Sequence, residues 1–266
     1  MALETILIVG CGNMGGAMLA GWLAGGLDPA RFTVVDPVLS QAPGGVTLLR
    51  KLPQARFDAI LLGVKPQLLG DVAPQLAALA GPDTTVLSIL AGAELDSLAA
   101  RFPQAGAVVR IMPNLAAAIG RSPIALAARG LDAAGQAAVT QLMEPLGTPE
   151  WLASESLFDA VTALAGSGPA FVYRVIDAMA QGGAGLGLPA DQAGRLAMAM
   201  VEGAALLAAQ SEHSPGELAR RVASPGGTTQ AGLDVLDADQ SLARLIAATL
   251  QAAADRSAEM AAAARG

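Results

Sequence analysis

Three glycines, Gly10, Gly12 and Gly15, follow directly on the apolar run Thr5–Val9 (TILIV). After a strand, that spacing suits a particular chemistry. The first glycine permits a tight turn, the second lets backbone approach a ligand, and the third lets the next helix pack against the sheet. A helix opening at such a turn directs unpaired N–H groups and the positive end of its dipole outward, where a pyrophosphate can sit. Asp36 ends the next strand-like run, Phe32–Asp36, about 20 residues beyond the turn, where an acid reads a ribose hydroxyl. Strand, turn, helix and acid in this order predict a dinucleotide site. The competing reading is a glycine-rich turn with no ligand.

A second stretch with chemical potential is Ser224–Thr229 (SPGGTT). Pro-Gly-Gly sets an irregular turn, and Thr228 and Thr229 fall where the next helix begins. Successive N–H groups at a helix start form a concavity suited to a carboxylate, here with two hydroxyls beside it. The alternative is a plain loop with a threonine cap. Strand tails elsewhere offer Val64-Lys65-Pro66, Ala91-Gly92 and Met112-Pro113-Asn114, and open parallel sheets bind ligands beyond such carboxyl ends. Lys65 is either a cation facing cofactor or substrate or a solvated surface lysine. Asn114 is either a donor to a nicotinamide or ribose oxygen or a turn residue after proline.

Conventional catalytic groups are scarce. His213 is the single histidine, in a polar loop, and Cys11 is the single cysteine, so neither a histidine-rich metal site nor an intrachain disulfide can form. Gly166-Ser167-Gly168 lacks the GxSxG pattern of a serine nucleophile. A hydride transfer to an already cationic acceptor needs no strong general acid, because the charge disappears during the step. Positioning then supplies most of the catalysis. Glycines, threonines and one acid suit that kind of reaction.

To position these groups, strands and helices alternate as far as about residue 154. Strands are expected at 5–9, 32–36, 46–49, 57–64, 84–89, 108–112, 124–128 and 150–153, and helices at 67–80, 94–102 and 133–146. Such alternation predicts an α/β fold, a mainly parallel sheet covered by helices. Beyond Glu155 the strand signals stop. Ala/Leu/Met-rich segments at 156–165, 170–182, 189–210 and 240–264 predict helices, with shorter ones at 215–222 and from Thr228. Several are apolar on more than one face, which predicts burial against a second copy of the chain. Residues 1–154 are thus expected to form a dinucleotide domain and residues 155–266 an all-helical one.

Composition narrows the partners. The 266 residues are 53% hydrophobic and 15% charged, enough for a packed core. A net charge of −7 argues against nucleic acid and anionic membranes. No apolar run reaches about 18 residues without Gly, Pro or charge, and no basic segment precedes an apolar leader. With one cysteine, a reducing, cytoplasmic setting is expected.

In combination the motifs resemble the pyrroline-5-carboxylate reductase family: IVGCGNMG at 8–15, VKP at 64–66, SILAG at 88–92, RIMPN at 110–114, DAVTALAGSGPAF at 159–171 and VASPGGTT at 222–229. The resemblance spans almost the whole chain. It implies an N-terminal Rossmann domain and a C-terminal helical domain that forms a homodimer, often within larger rings, with the active site between cofactor domain and dimer helices. The implied reaction is reduction of 1-pyrroline-5-carboxylate to L-proline by hydride from NADPH or NADH, the last step of proline biosynthesis. Cofactor contacts are implied for Gly10, Gly12, Asn13, Met14, Gly15, Asp36, Val64, Lys65, Pro66, Ala91, Gly92 and Asn114. Gly226 and Gly227 would hold the substrate carboxylate, Thr229 would hydrogen-bond the ring nitrogen, and Thr228 and Glu155 would frame the pocket. Glu212 lies near another position the family uses around the site. The chain departs from the family pattern after its second strand: Asp36 is acidic and residues 37–49 contain no Lys or Arg. That disfavours a 2′-phosphate, so NADH is expected to serve at least as well as NADPH. Two other readings compete. A β-hydroxyacid dehydrogenase of the 6-phosphogluconate type wants a lysine in its helical domain, and none follows Lys65. A non-catalytic dinucleotide sensor would have no use for SPGGTT.

Overall fold

The computed structural model describes residues 3–265. Eight strands form one sheet: β1 (Ile6–Val9), β2 (Phe32–Val35), β3 (Thr47–Leu49), β4 (Ala59–Leu62), β5 (Thr85–Ser88), β6 (Ala107–Met112), β7 (Ser122–Arg129) and β8 (Gly147–Trp151). Their spatial order is β3-β2-β1-β4-β5-β6-β7-β8. All neighbours run parallel except β6 and β7. Between those two lies only a short 3-10 turn, Leu115–Ile119, too little chain for a crossover, so the strand reverses. This is the α/β Rossmann-type architecture expected from the alternation of elements.

The central strands β1 and β4 are buried at every position. Their unbroken apolar sequences, ILIV and AILL, follow from a sheet covered on both faces. The covering helices are α1 (Asn13–Ala24), α2 (Leu69–Ala77), α3 (Leu95–Arg101) and α4 (Ala133–Met143). Ile6 and Ile8 pack with Met18 and Trp22 of α1 and Leu142 of α4. Leu7 and Val9 face the other way, toward Leu76 of α2 and Leu98 of α3. Trp22 stacks on Phe32 at 5.3 Å, and its indole N–H donates to the Leu142 carbonyl at 2.7 Å.

The helix expected at 156–165 is broken into three pieces. A 3-10 turn, Glu155–Leu157, leads into α5 (Phe158–Val161) and then a π-helical turn, Thr162–Gly166. The reason lies in the sequence that follows. In an α-helix the Ala165 carbonyl would accept from the N–H four residues on, but residue 169 is proline and has none. The Asn114 side chain donates to that carbonyl instead, at 3.0 Å. The expected helix at 67–80 is also shorter, opening as a 3-10 turn, Pro66–Leu68, before α2. Thereafter the chain is helical as expected: α6 (Gly168–Gly185), α7 (Ala190–Gln210), α8 (Pro215–Val222), α9 (Thr228–Asp237) and α10 (Ser241–Arg265).

Two compact units result, one of the residues up to Gly166 together with those from Ala253 onward, the other Ser167–Ala252. In the second, α6 and α7 pack on one another yet leave Tyr173 65%, Leu186 91% and Leu207 65% exposed. No helix among the described residues is long and apolar enough to cross a membrane.

Candidate active site

The three glycines of the first turn are held there for three different reasons. Gly10 has φ +85°, and a Cβ on it would come within 2.8 Å of the Gly63 and Val64 backbone. A Cβ on Gly15 would lie 2.8 Å from the Gly10 carbonyl oxygen, so glycine here lets α1 approach the sheet. Gly12 is different: a Cβ there would meet nothing within 4 Å, and its φ of −71° is open to any residue. The protein's own packing makes no demand for glycine at 12, whereas a ligand lying against the backbone would. Gly12 is also the N-cap of α1 and offers no side-chain cap, and the first turn, with Asn13 and Met14, carries no acid. The first N–H groups of the helix are thus available to an anion.

Asp36 lies at the end of β2, beside this turn. Its Oδ2 accepts from the Cys11 N–H at 2.8 Å, and its Oδ1 accepts from Val38 N–H at 2.8 Å and Leu39 N–H at 2.9 Å. Partial burial would raise this carboxyl, but the three N–H donors, and after them Arg50, outweigh it and hold it below the ordinary carboxylate range. The same acid pushes up the buried Cys11 thiol, after the larger effect of burial itself, so Cys11 is a packing residue rather than a nucleophile. Because Asp36 is depressed in the folded state, its stabilising contribution is complete above the unfolded value, about pH 4. It is lost as pH falls through the lower folded value. Asp36→Asn should therefore flatten the acid limb of a urea-stability profile taken between about pH 5 and pH 2.

The strand tails deliver their residues to the same carboxyl end of the sheet. Lys65 is exposed and N-caps the 3-10 turn after β4. Ala91 and Gly92 follow β5, and Gly92 has φ +77°; a Cβ on it would lie 3.2 Å from Ala261 of α10. Pro66, Ala91 and Gly92 border one cavity of about 550 Å3 with Arg256 and Met260. Val64 backs directly onto Gly10. Asn114 is buried at 6% exposure and thoroughly engaged. Its N–H donates to Ser122 Oγ at 2.9 Å, its Oδ1 accepts from Ala116 N–H at 2.9 Å, and its Nδ2 holds the π-turn.

Glu155 is likewise bound into the scaffold. Its Oε1 accepts from Arg110 Nη1 at 2.6 Å and from the Leu95 N–H at 2.8 Å, so it caps α3 from a distant part of the chain. The Arg110 guanidinium in turn lies 4.2 Å from the centre of the Phe158 ring. Among the described residues no group of three His, Cys, Asp or Glu side chains could hold a metal.

In the second unit, Ser224 accepts the Gly227 N–H on its carbonyl at 2.9 Å. Gly226, at φ +71°, occupies the position after Pro225 where such a turn requires a left-handed residue. Gly227 then N-caps α9 without a side-chain cap, and no acid occupies the first turn. Thr228 and Thr229 are exposed there, and among the described residues their hydroxyls have no hydrogen-bond partner. Glu212 precedes α8 in the loop with His213.

The comparisons with known proteins bear on this arrangement. A pyrroline-5-carboxylate reductase dimerisation family matches residues 155–260. The chain is 36% identical to the pyrroline-5-carboxylate reductase of Pseudomonas aeruginosa over 98% of both chains. It belongs to the pyrroline-5-carboxylate reductase family. The Glycine max reductase is 36% identical over 96% of each chain. The solved pyrroline-5-carboxylate reductase of Coxiella burnetii superposes with a TM-score of 0.91 at 29% identity, over 97% of this chain and 98% of its own. Family membership displaces the β-hydroxyacid dehydrogenase reading.

Within this reductase fold, sequence reasoning missed Arg110 and Arg50. A lone cation in the strand AVVRIM had to find a buried counter-charge, which was the available signal for Arg110. Arg50 lies one residue beyond the cation-free stretch 37–49, where nothing local ties it to Asp36. Only the pairing of Val35 with Leu49 brings it beside Asp36.

Proposed function

We propose that the protein reduces 1-pyrroline-5-carboxylate to L-proline with a nicotinamide dinucleotide. The observation that carries this reading is a pair of helix N-termini, α1 at Gly12 and α9 at Gly227, each begun by an uncapped glycine with no acid in the first turn. One suits a pyrophosphate, the other a small carboxylate. Gly10, Gly12, Asn13, Met14 and Gly15 would seat the pyrophosphate. Asp36 would face the ribose, and Val64, Lys65, Pro66, Ala91, Gly92 and Asn114 would border the nicotinamide half. When bound, the reduced nicotinamide supplies the hydride. The protein's part is to hold the imine: Gly226 and Gly227 present N–H groups to the substrate carboxylate, and Thr229 hydrogen-bonds the ring nitrogen as the catalytic residue. We assign Thr228 and Glu155 to substrate binding as well.

We further assign residues 1–154 to the cofactor and 155–266 to substrate binding and dimerisation. The start of the family match at residue 155 supports that division. The exposed apolar side chains of α6 and α7 support a homodimer, which a ring of dimers would extend. One buried cysteine and a charge of −7 fit a cytoplasmic enzyme without nucleic-acid or membrane partners. With Asp36 beside the ribose, NADH serves at least as well as NADPH.

The test is a direct assay of imine-dependent NADH and NADPH oxidation. Thr229→Ala should lower kcat/KM about tenfold, for loss of a hydrogen bond worth about 1.5 kcal/mol in the transition state. Unchanged kinetics would remove Thr229 from the mechanism.

A further inference from the structure

We propose that Arg50 reads the 2′-phosphate of the dinucleotide and so sets how far the protein discriminates between NADPH and NADH. The inference rests on the dinucleotide reading of the glycine turn and goes beyond it. β3 lies at the sheet edge, parallel to β2, with Leu49 opposite Val35. Asp36 and Arg50 therefore leave the sheet side by side, and the Asp36 N–H donates to the Leu49 carbonyl at 3.2 Å. With β1 and its glycine turn next in the sheet, this corner is where the adenosine ribose lies in a dinucleotide fold, and where a nearby arginine accommodates a 2′-phosphate.

The two charges at this corner are used differently. Asp36 is drawn into the backbone by the Cys11, Val38 and Leu39 N–H groups. That leaves Oδ2 one acceptor site for a ribose hydroxyl. The Arg50 side chain is exposed and pinned at one nitrogen, with Nη1 donating to the Asp36 carbonyl at 2.8 Å and to the Leu39 carbonyl. Among the described residues Nε and Nη2 make no hydrogen bond, so one edge of the guanidinium fork remains open. A fork with one edge anchored and the other free suits a phosphate. Its charge also offsets that of Asp36, so a phosphate arriving here does not meet a net negative corner. Asp36 favours the free diol, Arg50 favours the phosphate, and the balance between them sets the preference for one dinucleotide over the other.

The experiment is titration calorimetry of the full chain with adenosine 2′,5′-bisphosphate and with AMP, which needs no imine turnover. Arg50→Gln should weaken the bisphosphate about tenfold while AMP changes less than about twofold. Arg50→Lys should retain part of the difference. Lys51→Gln removes the next cation along the chain and should change neither. The idea is overturned if the two nucleotides weaken in parallel, which would make Arg50 a loop brace only. It is equally overturned if Lys51→Gln matches the effect or if Arg50→Gln changes nothing. Failure of the reductase reading would show separately, as nucleotide binding without imine-dependent cofactor oxidation.

Discussion

Gly12→Val should weaken dinucleotide binding on the order of 100-fold while shifting the melting temperature by less than about 3 °C. The two halves of that expectation come from different facts. A Cβ at 12 meets no other part of the protein within 4 Å and sits on extended backbone, so folding has little to lose. The valine side chain would fill the space where a pyrophosphate approaches the first N–H groups of α1, and charge-assisted hydrogen bonds contribute about 1.5–3 kcal/mol each. Gly10→Ala is the contrast, because positive φ and a 2.8 Å approach to Gly63 backbone make glycine obligatory for the fold itself. Fluorescence titration with NADH, paired with a thermal melt, separates the cases. Wild-type affinity in folded Gly12→Val would mean the turn is not the pyrophosphate seat.

Asn114→Ala should destabilise the protein by about 2–4 kcal/mol, from two side-chain hydrogen bonds and a carbonyl left without a donor in a buried setting. If the amide stands in for the N–H that Pro169 lacks, Pro169→Ala should recover part of the loss in the Asn114→Ala background. Pro169→Ala alone should change stability little, since the Ala165 carbonyl already has its donor. Urea denaturation of the four proteins in a double-mutant cycle reads the coupling directly. Additive effects would mean that the π-turn has another cause.

These residues mark where sequence was legible and where it was not. Short, mostly apolar runs announced β1, β2, β4, β5 and β6, because a sheet covered on both faces leaves its strands few polar positions. The weak edge strand β3 was also visible, although only three residues of it pair. The break at Thr162–Gly166 was not, because the substitute donor comes from Asn114, a contact 51 residues away. Asn114 is therefore a fixture of the scaffold as well as a candidate neighbour of the cofactor, and no local pattern distinguishes the two. Glu155 has the same dual character through Arg110 and Leu95.

The sequence by itself determined the α/β plan, the helical second half, the two glycine-opened helix starts and the family. All of these depend on local spacing, on turn chemistry or on motifs in order along the chain. Tertiary structure alone decided what the charged groups face. It turned Asp36 toward backbone N–H groups, set Arg50 beside it through strand register, and paired Glu155 with Arg110. Register and long-range hydrogen bonds join residues that share no neighbourhood in the chain, so their electrostatics exist only once the sheet has formed.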